Sequence, residues 1–312
     1  MLTNDHTALV PMTSHGGRNL EFDFPALHIG VAEYTEGPTG CTVFYFPQTA
    51  SLAVDIRGGD PGFIGDYDCI SAICLAGGSM YGKEAIIGVA AELFKLRGYS
   101  TEAMALVSGA ILYDYRTRDT AIYPDKALGR AALKAARPGI FPEGPCGAGR
   151  SASVGKGFNF DQGEPSGQGG AFRQIGPTKI AVFTVVNAIG AIVNRQGEVV
   201  RGNLDQKTGT RHQLIDDLER RLANNEPITS AHGNTTLTVV VTNQKLNSRS
   251  LRQIGRQVHS SLARAIQPFH TIYDGDVLFS LTTNEIENLA LSDIAIGVLA
   301  SELAWDAVLR CF

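Results

Sequence analysis

The most constraining feature of this 312-residue chain is a junction between a polar segment and a run of β-branched residues. Residues 231–236 are Ala-His-Gly-Asn-Thr-Thr, and Leu-Thr-Val-Val-Val follows directly. This run predicts a buried strand that begins close to Thr235. A threonine at such a boundary can be a nucleophile if a base removes its proton. One such base is its own α-amine, freed by cleavage of the preceding peptide bond. The commoner meaning of Gly-Asn-Thr-Thr in isolation is a loop that enters a strand, so both interpretations stay open at this point.

The composition is that of a globular protein with no broad basic surface. Hydrophobic residues make up 44% and charged residues 19%, which provides for a sizeable core. A net charge of −4 gives no reason to expect nucleic acid or an anionic membrane as a partner. The five cysteines are scattered without a C-x-x-C motif, which favours reduced thiols in a cytoplasm over disulfides or a zinc site.

No targeting or membrane-spanning segment is predicted, and we therefore expect a cytoplasmic protein. Met1–Gly17 is polar and lacks the apolar stretch of a signal peptide. The longest apolar run, Ile180–Val193, is too short to span a bilayer and contains Asn187.

Apolar periodicity and turn residues divide the chain into irregularly alternating strands and helices after a loose arm at residues 1–20. Ile180–Val193 is predicted to hold a central strand pair bent around Asn187–Gly190. The other predicted strands are Leu27–Tyr34, Cys41–Pro47, Ser51–Arg57, Ala110–Tyr115, Thr236–Asn243 and Asp276–Thr283. The predicted helices are Met80–Arg97, Asp125–Ala136, Arg211–Ala223, Ser248–Ile266 and Leu289–Leu309. This order indicates a mixed α/β or α+β fold, most simply layered helix–sheet–helix.

Four polar residues are candidate partners of Thr235. Asp274 and Asp276 flank a glycine, and they are either a solvated turn or a carboxylate pair that holds the threonine amine and hydroxyl. Asn187 interrupts an apolar strand, so its amide is either a structural bridge or a donor to an oxyanion. Lys156 lies in a glycine-rich loop, where it is either a surface residue or a stabiliser of developing negative charge.

The chain as a whole resembles the L-aminopeptidase/D-esterase and β-aminopeptidase family, peptidase family S58. Within that family it is most similar to the branch of nylon-oligomer hydrolases, which are endo-type 6-aminohexanoate oligomer hydrolases. It departs from that pattern at Ile272, where an acid is expected, and its N-terminal arm is shorter. The matching blocks occur in the same order along nearly the whole chain: Phe22-Asp-Phe-Pro25, Glu36-Gly-Pro-Thr-Gly40, Ala72-Ile-Cys-Leu-Ala-Gly-Gly78, residues 121–132, Gly147-Ala-Gly149, Ser151-Ala-Ser153, Gly167-Gln-Gly169, Val200-Arg-Gly-Asn203, Gly233-Asn-Thr-Thr236, Gln267-Pro-Phe-His-Thr271, Asp274-Gly-Asp276, Ala300-Ser-Glu302 and residues 305–309.

The resemblance implies a four-layer α/β/β/α sandwich with N-terminal-nucleophile chemistry. It implies a single domain, 1–312, that cuts itself after Asn234 into fragments 1–234 and 235–312 and exposes Thr235 as the nucleophile. It further implies a homotetramer and gives no reason to expect a cofactor or metal. The remaining catalytic positions that it implies are Tyr113, Lys156, Asn187, Asp274 and Asp276.

The predicted function is therefore a self-processing amide hydrolase that forms an ester on Thr235. It is expected to cleave internal amide bonds of 6-aminohexanoate oligomers or similar linear amides. One alternative is an aminopeptidase or amidase-esterase that acts on α- or β-amino-acid amides, and another is an acyltransferase. An alternative of a different class is an uncut, non-catalytic binding or assembly protein.

Overall fold

The computed structural model describes residues 1–228 and 233–312, so Ala231 and His232 of the junction lie outside the described residues. The strands are Asn19–Glu21 (β1), His28–Tyr34 (β2), Thr39–Ile56 (β3), Phe63–Ile64 (β4), Cys69–Ala76 (β5), Val107–Ile111 (β6), Arg137–Pro138 (β7), Ile140–Pro142 (β8), Ser153–Val154 (β9), Glu164–Pro165 (β10), Gln168–Ile175 (β11), Thr178–Asn187 (β12), Ala191–Val193 (β13), Val199–Arg201 (β14), Thr235–Gln244 (β15), Ile266–Gln267 (β16) and Val277–Ile286 (β17). The α-helices are Lys83–Leu96 (α1), Lys126–Lys134 (α2), Leu214–Asn224 (α3), Ser248–Ser261 (α4) and Asp293–Leu309 (α5). Short 3₁₀ turns occur at Ser79–Gly82, Tyr115–Thr117, Gly147–Gly149, Phe160–Gln162 and Leu262–Arg264. Within these two ranges, no helix is long and apolar enough to cross a membrane.

The long strand β3 joins two halves of one hydrogen-bonded network. Its first half pairs with β2, and its second half pairs with β17. The ladder between β3 and β5 shifts register between Tyr45 and Ala50, where the strand passes from one half to the other. The strand order is β11-β12-β15-β17-β3-β5-β6-β4, with β2 added on β3 and β7 added on β2.

Three hydrophobic clusters separate four layers. Alternate residues of β15, such as Leu237 and Val239, share a cluster with aromatic and aliphatic residues of β3 and β5, so the two halves of the network pack face to face. Val240, on the opposite face of β15, packs with α4 and α5. Ala72 and Cys74 of β5 pack with α1 and α2. This arrangement confirms the predicted α/β/β/α sandwich.

Most predicted elements exist, with shifted ends, but several details are wrong. The two strands predicted at Cys41–Pro47 and Ser51–Arg57 are one strand, because the intervening polar residues form an irregularity in the ladder instead of a turn. The strand predicted at Ala110–Tyr115 lies earlier, at Val107–Ile111. The strand Gln168–Ile175 was missed, since it begins in a glycine-rich segment. Ile180–Val193 does bend as predicted, but its two strands belong to different sheets.

The N-terminal arm is tied to the body of the protein, which corrects the expectation of a loose arm. The Asn4 side-chain amide donates to the Tyr123 carbonyl oxygen at 3.0 Å. Nδ1 of His15 lies 3.2 Å from a carboxylate oxygen of the buried Glu33. These contacts join the arm to strand β2 and to the segment that leads into α2.

The register of the central strands brings three strand ends to one edge of the sheet. β15 is parallel to β17, with Leu237 opposite Val277, so the N-terminal ends of both strands lie side by side. β12 runs antiparallel to β15 and ends at this edge, with Asn187 opposite Thr235. Residues far apart in sequence therefore meet where the β-branched run begins.

Candidate active site

Thr235 is the first residue of β15, and its hydroxyl faces the peptide bond before it. The side chain is buried, and Oγ1 donates to the Asn234 carbonyl oxygen at 2.5 Å. The main-chain N–H of Gly275 donates to the same oxygen at 2.8 Å. The carbonyl group of the predicted scissile bond is thus held by two donors, and one of them is the predicted nucleophile.

Two features of the structure explain why position 233, just before Asn234, is a glycine. Its φ is +76°, in the left-handed region that glycine tolerates best. A Cβ at this position would lie 2.7 Å from the aromatic ring of Tyr113, so a side chain would collide with it. The ring of Tyr113 therefore packs directly on the main chain that leads to the predicted cleavage point.

Asp276 lies at the start of β17, completely buried. Its carboxylate accepts a hydrogen bond from the main-chain N–H of Thr236 at 2.6 Å, and its other oxygen lies 2.8 Å from Nδ1 of His270. Burial raises the pKa of Asp276 to about 6, and the charge of Asp274 adds to this rise, while the bond to His270 opposes it. The carboxyl group can therefore change its charge close to neutral pH.

Asp274 is equally buried but has different partners. One oxygen accepts from the main-chain N–H of Thr271 at 2.8 Å and from its hydroxyl at 2.6 Å, and the other accepts from the N–H of Ile189 at 3.4 Å. In the uncut chain both aspartates thus hold the backbone around Thr235, and neither hydrogen bonds to its hydroxyl. That they hold the freed amine stays a prediction.

Lys156 and Asn187 form a buried pair on the other side of Thr235. Lys156 Nζ donates to the main-chain oxygen and to Oδ1 of Asn187 at 3.0 and 3.1 Å. Burial lowers the pKa of Lys156 to about 7; the nearby charge of Asp274 opposes this effect, and that of Arg116 adds to it. The surface alternative for Lys156 is wrong, since only 2% of the residue is exposed.

Asn187 bridges three segments of the uncut chain. Oδ1 also accepts from the main-chain N–H of Ser153 at 3.0 Å, and Nδ2 donates to the main-chain oxygens of Tyr113 at 2.9 Å and Gly233 at 3.3 Å. The bridging alternative therefore describes the uncut state. The partner at Gly233 belongs to the segment that precedes the predicted cleavage point.

A cavity of about 300 Å³ opens beside the nucleophile, a volume at the lower end of small-molecule sites. We call it the nucleophile cavity; its lining includes Asp60, Ile111, Tyr113, Arg116, Asn234 and Thr235. A larger cavity of about 730 Å³ lies beside α3 and contains none of the buried catalytic candidates, so size alone does not locate the site. In the two described ranges, no group of three or more His, Cys, Asp or Glu side chains is arranged to hold a metal ion.

Sequence reasoning missed two histidines behind the aspartates, the buried His259 and the half-buried His270. The ring of His259 meets that of His270 edge to face, with centroids 4.5 Å apart, and its Nδ1 lies 2.9 Å from Oδ2 of Asp55. Burial lowers the pKa of His259 to about 4, so this ring is neutral at neutral pH. The one sequence signal for His270 was its position just before Asp274-Gly-Asp276 in the same segment. Asp55 and His259 are 204 positions apart, and no spacing predicts their contact.

Comparison with known proteins shows the family of this chain. Residues 21–309 match the model of peptidase family S58. The chain is 49% identical to a 6-aminohexanoate-oligomer endohydrolase of Agromyces sp. (strain KY5R) and 48% identical to one of Paenarthrobacter ureafaciens, in each case over 98% of this chain and 90% of the relative.

Solved structures with low sequence identity share the fold. The β-aminopeptidase of Burkholderia sp. superimposes with a TM-score of 0.67 at 15% identity, covering 95% of this chain and 88% of that one. The L-aminopeptidase D-Ala-esterase/amidase of Ochrobactrum anthropi, described as a variant of the Ntn hydrolase fold, gives 0.65 at 14% identity over 96% and 88%. Fold and relatives together define an amide-bond hydrolase with an N-terminal-nucleophile architecture. The chain belongs to peptidase family S58.

Proposed function

We propose that this protein cuts itself between Asn234 and Thr235 and then hydrolyses internal amide bonds of linear oligoamides such as 6-aminohexanoate oligomers. The observation that carries the proposal is the Thr235 hydroxyl, buried at the start of β15 and 2.5 Å from the carbonyl oxygen of the bond to be cut. The substrate class follows the names of the relatives that are 48–49% identical over nearly the whole chain.

In the self-cleavage step, Thr235 Oγ attacks the carbonyl carbon of Asn234. The N–H of Gly275, already 2.8 Å from the carbonyl oxygen, donates to the oxyanion that develops there. The C–N bond breaks, the amine of Thr235 takes the hydroxyl proton, and an ester joins Asn234 to Oγ. Water hydrolyses the ester to a new carboxylate and a free α-amine. Fragments 1–234 and 235–312 stay together because β15 is paired along its length with β12.

In the turnover step, the freed amine of Thr235 is the general base. Its reference pKa of about 7.7–8.0 lies close to neutral pH, so it can accept the hydroxyl proton as Oγ attacks a substrate amide. Once the carbonyl of Gly233 has withdrawn, Nδ2 of Asn187 can donate to the substrate oxyanion, and protonated Lys156 adds positive charge. The Thr235 ammonium passes this proton to the substrate nitrogen, the C–N bond breaks, and the amine departs. The same α-amine then takes a proton from water, which attacks the ester and releases the acyl group from Oγ as a carboxylic acid.

Intact-mass measurement of the purified protein, coupled to an oligomer assay, tests both steps. Wild type should appear as two fragments divided between Asn234 and Thr235, and should cleave 6-aminohexanoate oligomers. Thr235→Ala should remain a single inactive chain. Thr236→Val is the matched control, since in the described structure the buried hydroxyl of Thr236 has no hydrogen-bond partner; it should still be cut. A persistent full-length wild-type chain with full activity would contradict the mechanism.

An aminopeptidase is the second candidate, favoured by one observation. Asp60 is an exposed carboxylate on the wall of the nucleophile cavity, where it could bind the ammonium group of a substrate. N-acetylated 6-aminohexanoate oligomers separate the two functions, because acetylation removes that ammonium group. An endohydrolase should still cleave them, whereas an aminopeptidase should prefer free β-alanyl or L-alanyl amides. An acyltransferase would show competition between added amines and water in the same assay.

A further inference from the structure

A second cavity lies on the far side of the catalytic groups from the nucleophile cavity. It has a volume of about 380 Å³, and we call it the flanking cavity. Its wall combines the aromatic ring of Phe160 and the ring of Pro165 with the hydroxyl-bearing residues Ser151 and Ser153. Methylene groups of a ligand can pack on the two rings, and its amide groups can hydrogen bond with the serine hydroxyls.

The flanking cavity offers no unpaired charge from its described wall residues. Its two ionisable side chains are Arg150, whose Nε lies 3.3 Å from Glu33, and Glu164, which accepts from Nε of Arg211 at 2.6 Å. Because both charges are already neutralised, the cavity suits an uncharged segment better than a charged one.

A narrow crevice lies between the two cavities, and its lining includes the catalytic pair Lys156 and Asn187. It shares Tyr113, Arg116 and Gly233 with the nucleophile cavity, and Thr117, Ser151, Ser153 and Phe160 with the flanking cavity. Its open volume in the uncut chain is only about 10 Å³. The main chain of Gly233, held by Nδ2 of Asn187, forms part of its wall.

We propose that the substrate path runs from the nucleophile cavity through this crevice into the flanking cavity, which binds one methylene-amide unit of a linear, uncharged oligoamide. A bond inside an oligomer has units on both sides, and two cavities with the catalytic groups between them accept both. Cleavage after Asn234 frees Gly233 from the covalent connection to β15 and lets the crevice widen. The same cut would thus create the base and open the path. This proposal rests on the proposed function and adds the reason why cleavage is internal.

Thr117→Trp tests the path by filling the flanking cavity from an exposed position on its wall. The substrate is an N-acetylated linear 6-aminohexanoate hexamer, and the readouts are kcat/KM and the lengths of the products. Wild type should release internal fragments. Thr117→Trp should lower kcat/KM by at least about tenfold, as expected when one unit loses its apolar site, and should shift the remaining products toward single units from the chain end.

Thr208→Trp is the matched control, because it adds the same side chain at an exposed turn beside α3, away from the path. It should keep wild-type rates and products. Pro165→Trp fills the flanking cavity from another exposed position, so it tests the path if Thr117→Trp is insoluble. Self-cleavage, measured by intact mass, shows that either variant has folded. Wild-type rates and internal products from a folded filling variant would overturn the proposal. Failure of wild type to cleave any oligomer would instead refute the proposed function.

Discussion

Buried charges lie on both sides of Thr235, but they are held in different ways. On the acid side, Asp274 and Asp276 accept hydrogen bonds from main-chain N–H groups just after β12, at the start of β15 and in the segment that leads into β17. On the other side, which we call the amine side after the amine of Lys156, Lys156 and Asn187 bind each other, and Asn187 also binds the carbonyl of Gly233. The carboxylates of the acid side bind groups that self-cleavage leaves in place, whereas the amine side is tied through Gly233 to a segment that self-cleavage would release.

This difference assigns the two sides to different steps. The carboxylates of the acid side bind main-chain groups of Ile189, Thr236 and Thr271, none of which precedes the predicted cleavage point directly. We therefore expect these bonds in the cut chain as well, and the acid side should support self-cleavage as well as turnover. The amine side gains a free donor only when the carbonyl of Gly233 leaves Nδ2 of Asn187, so it should matter mainly for turnover. Burial disfavours the charged form on both sides, since it raises the pKa of Asp276 to about 6 and lowers that of Lys156 to about 7.

The largest expected effect separates the two steps on the amine side. Lys156→Met keeps the length and apolar stem of the side chain but removes the charge that faces the oxyanion. Turnover of oligomers should fall by about 10²–10³-fold, while self-cleavage proceeds to completion. Intact mass and a hydrolysis assay on the same sample measure both. Lys245→Met, at an exposed ion pair, should change neither. Accumulation of uncut Lys156→Met would show that the two sides are not separable.

A smaller effect is expected on the acid side. Asp276→Asn keeps the shape of the side chain but weakens its bonds to Thr236 and His270. A hydrogen bond to a charged group contributes about 1.5–3 kcal/mol, so self-cleavage should slow by about 10–100-fold. The time course of the 235–312 fragment after purification of the uncut chain measures this rate. Asp205→Asn is the control, because the Asp205 carboxylate binds main-chain N–H groups of a turn beside α3, away from Thr235. Self-cleavage of Asp276→Asn at the wild-type rate would remove the acid side from the first step.

The pH dependence of stability should distinguish the two sides by sign. Between pH 7 and the ordinary value of 10.5, the unfolded chain keeps a proton on Lys156 that the native chain has lost, so the free energy of unfolding should rise with pH. Between the ordinary value of 3.8 and about 6, native Asp276 keeps a proton that the unfolded chain has lost, so stability should fall as pH rises.

Denaturant midpoints of the uncut Thr235→Ala chain across this pH range measure both slopes. Adding Lys156→Met should abolish the basic slope, and adding Asp276→Asn should abolish the acidic one. Unchanged slopes in these double variants would mean that other groups carry the pH dependence.

The smallest expected effect concerns the histidine behind the acid side. The bond from His270 opposes the rise in the pKa of Asp276, so His270→Leu should raise this pKa further. The acidic limb of the kcat/KM profile should then move to higher pH. His270→Asn, which can still donate to Asp276, should restore part of the shift. A profile that drops in height without moving would assign His270 a purely structural role.

The sequence predicted the helices and strands better than the contacts between them. Apolar periodicity located α1 and α4, and the β-branched run located β15, because these patterns are local. The contact of Asn187 with Gly233 depends on the pairing of β12 with β15, which no local pattern specifies. The contact of Asp55 with His259 likewise depends on packing between layers. Family resemblance, and not spacing, supplied Lys156 and Tyr113 as members of the same site.

The most direct test of the central claim is the mass of the enzyme quenched with acid during turnover of an oligomer. We expect fragment 235–312 to gain the mass of one acyl group, with the modification mapped to the hydroxyl of Thr235, and fragment 1–234 to remain unmodified. An acyl group on fragment 1–234, or an active chain that is never cut after Asn234, would contradict the account.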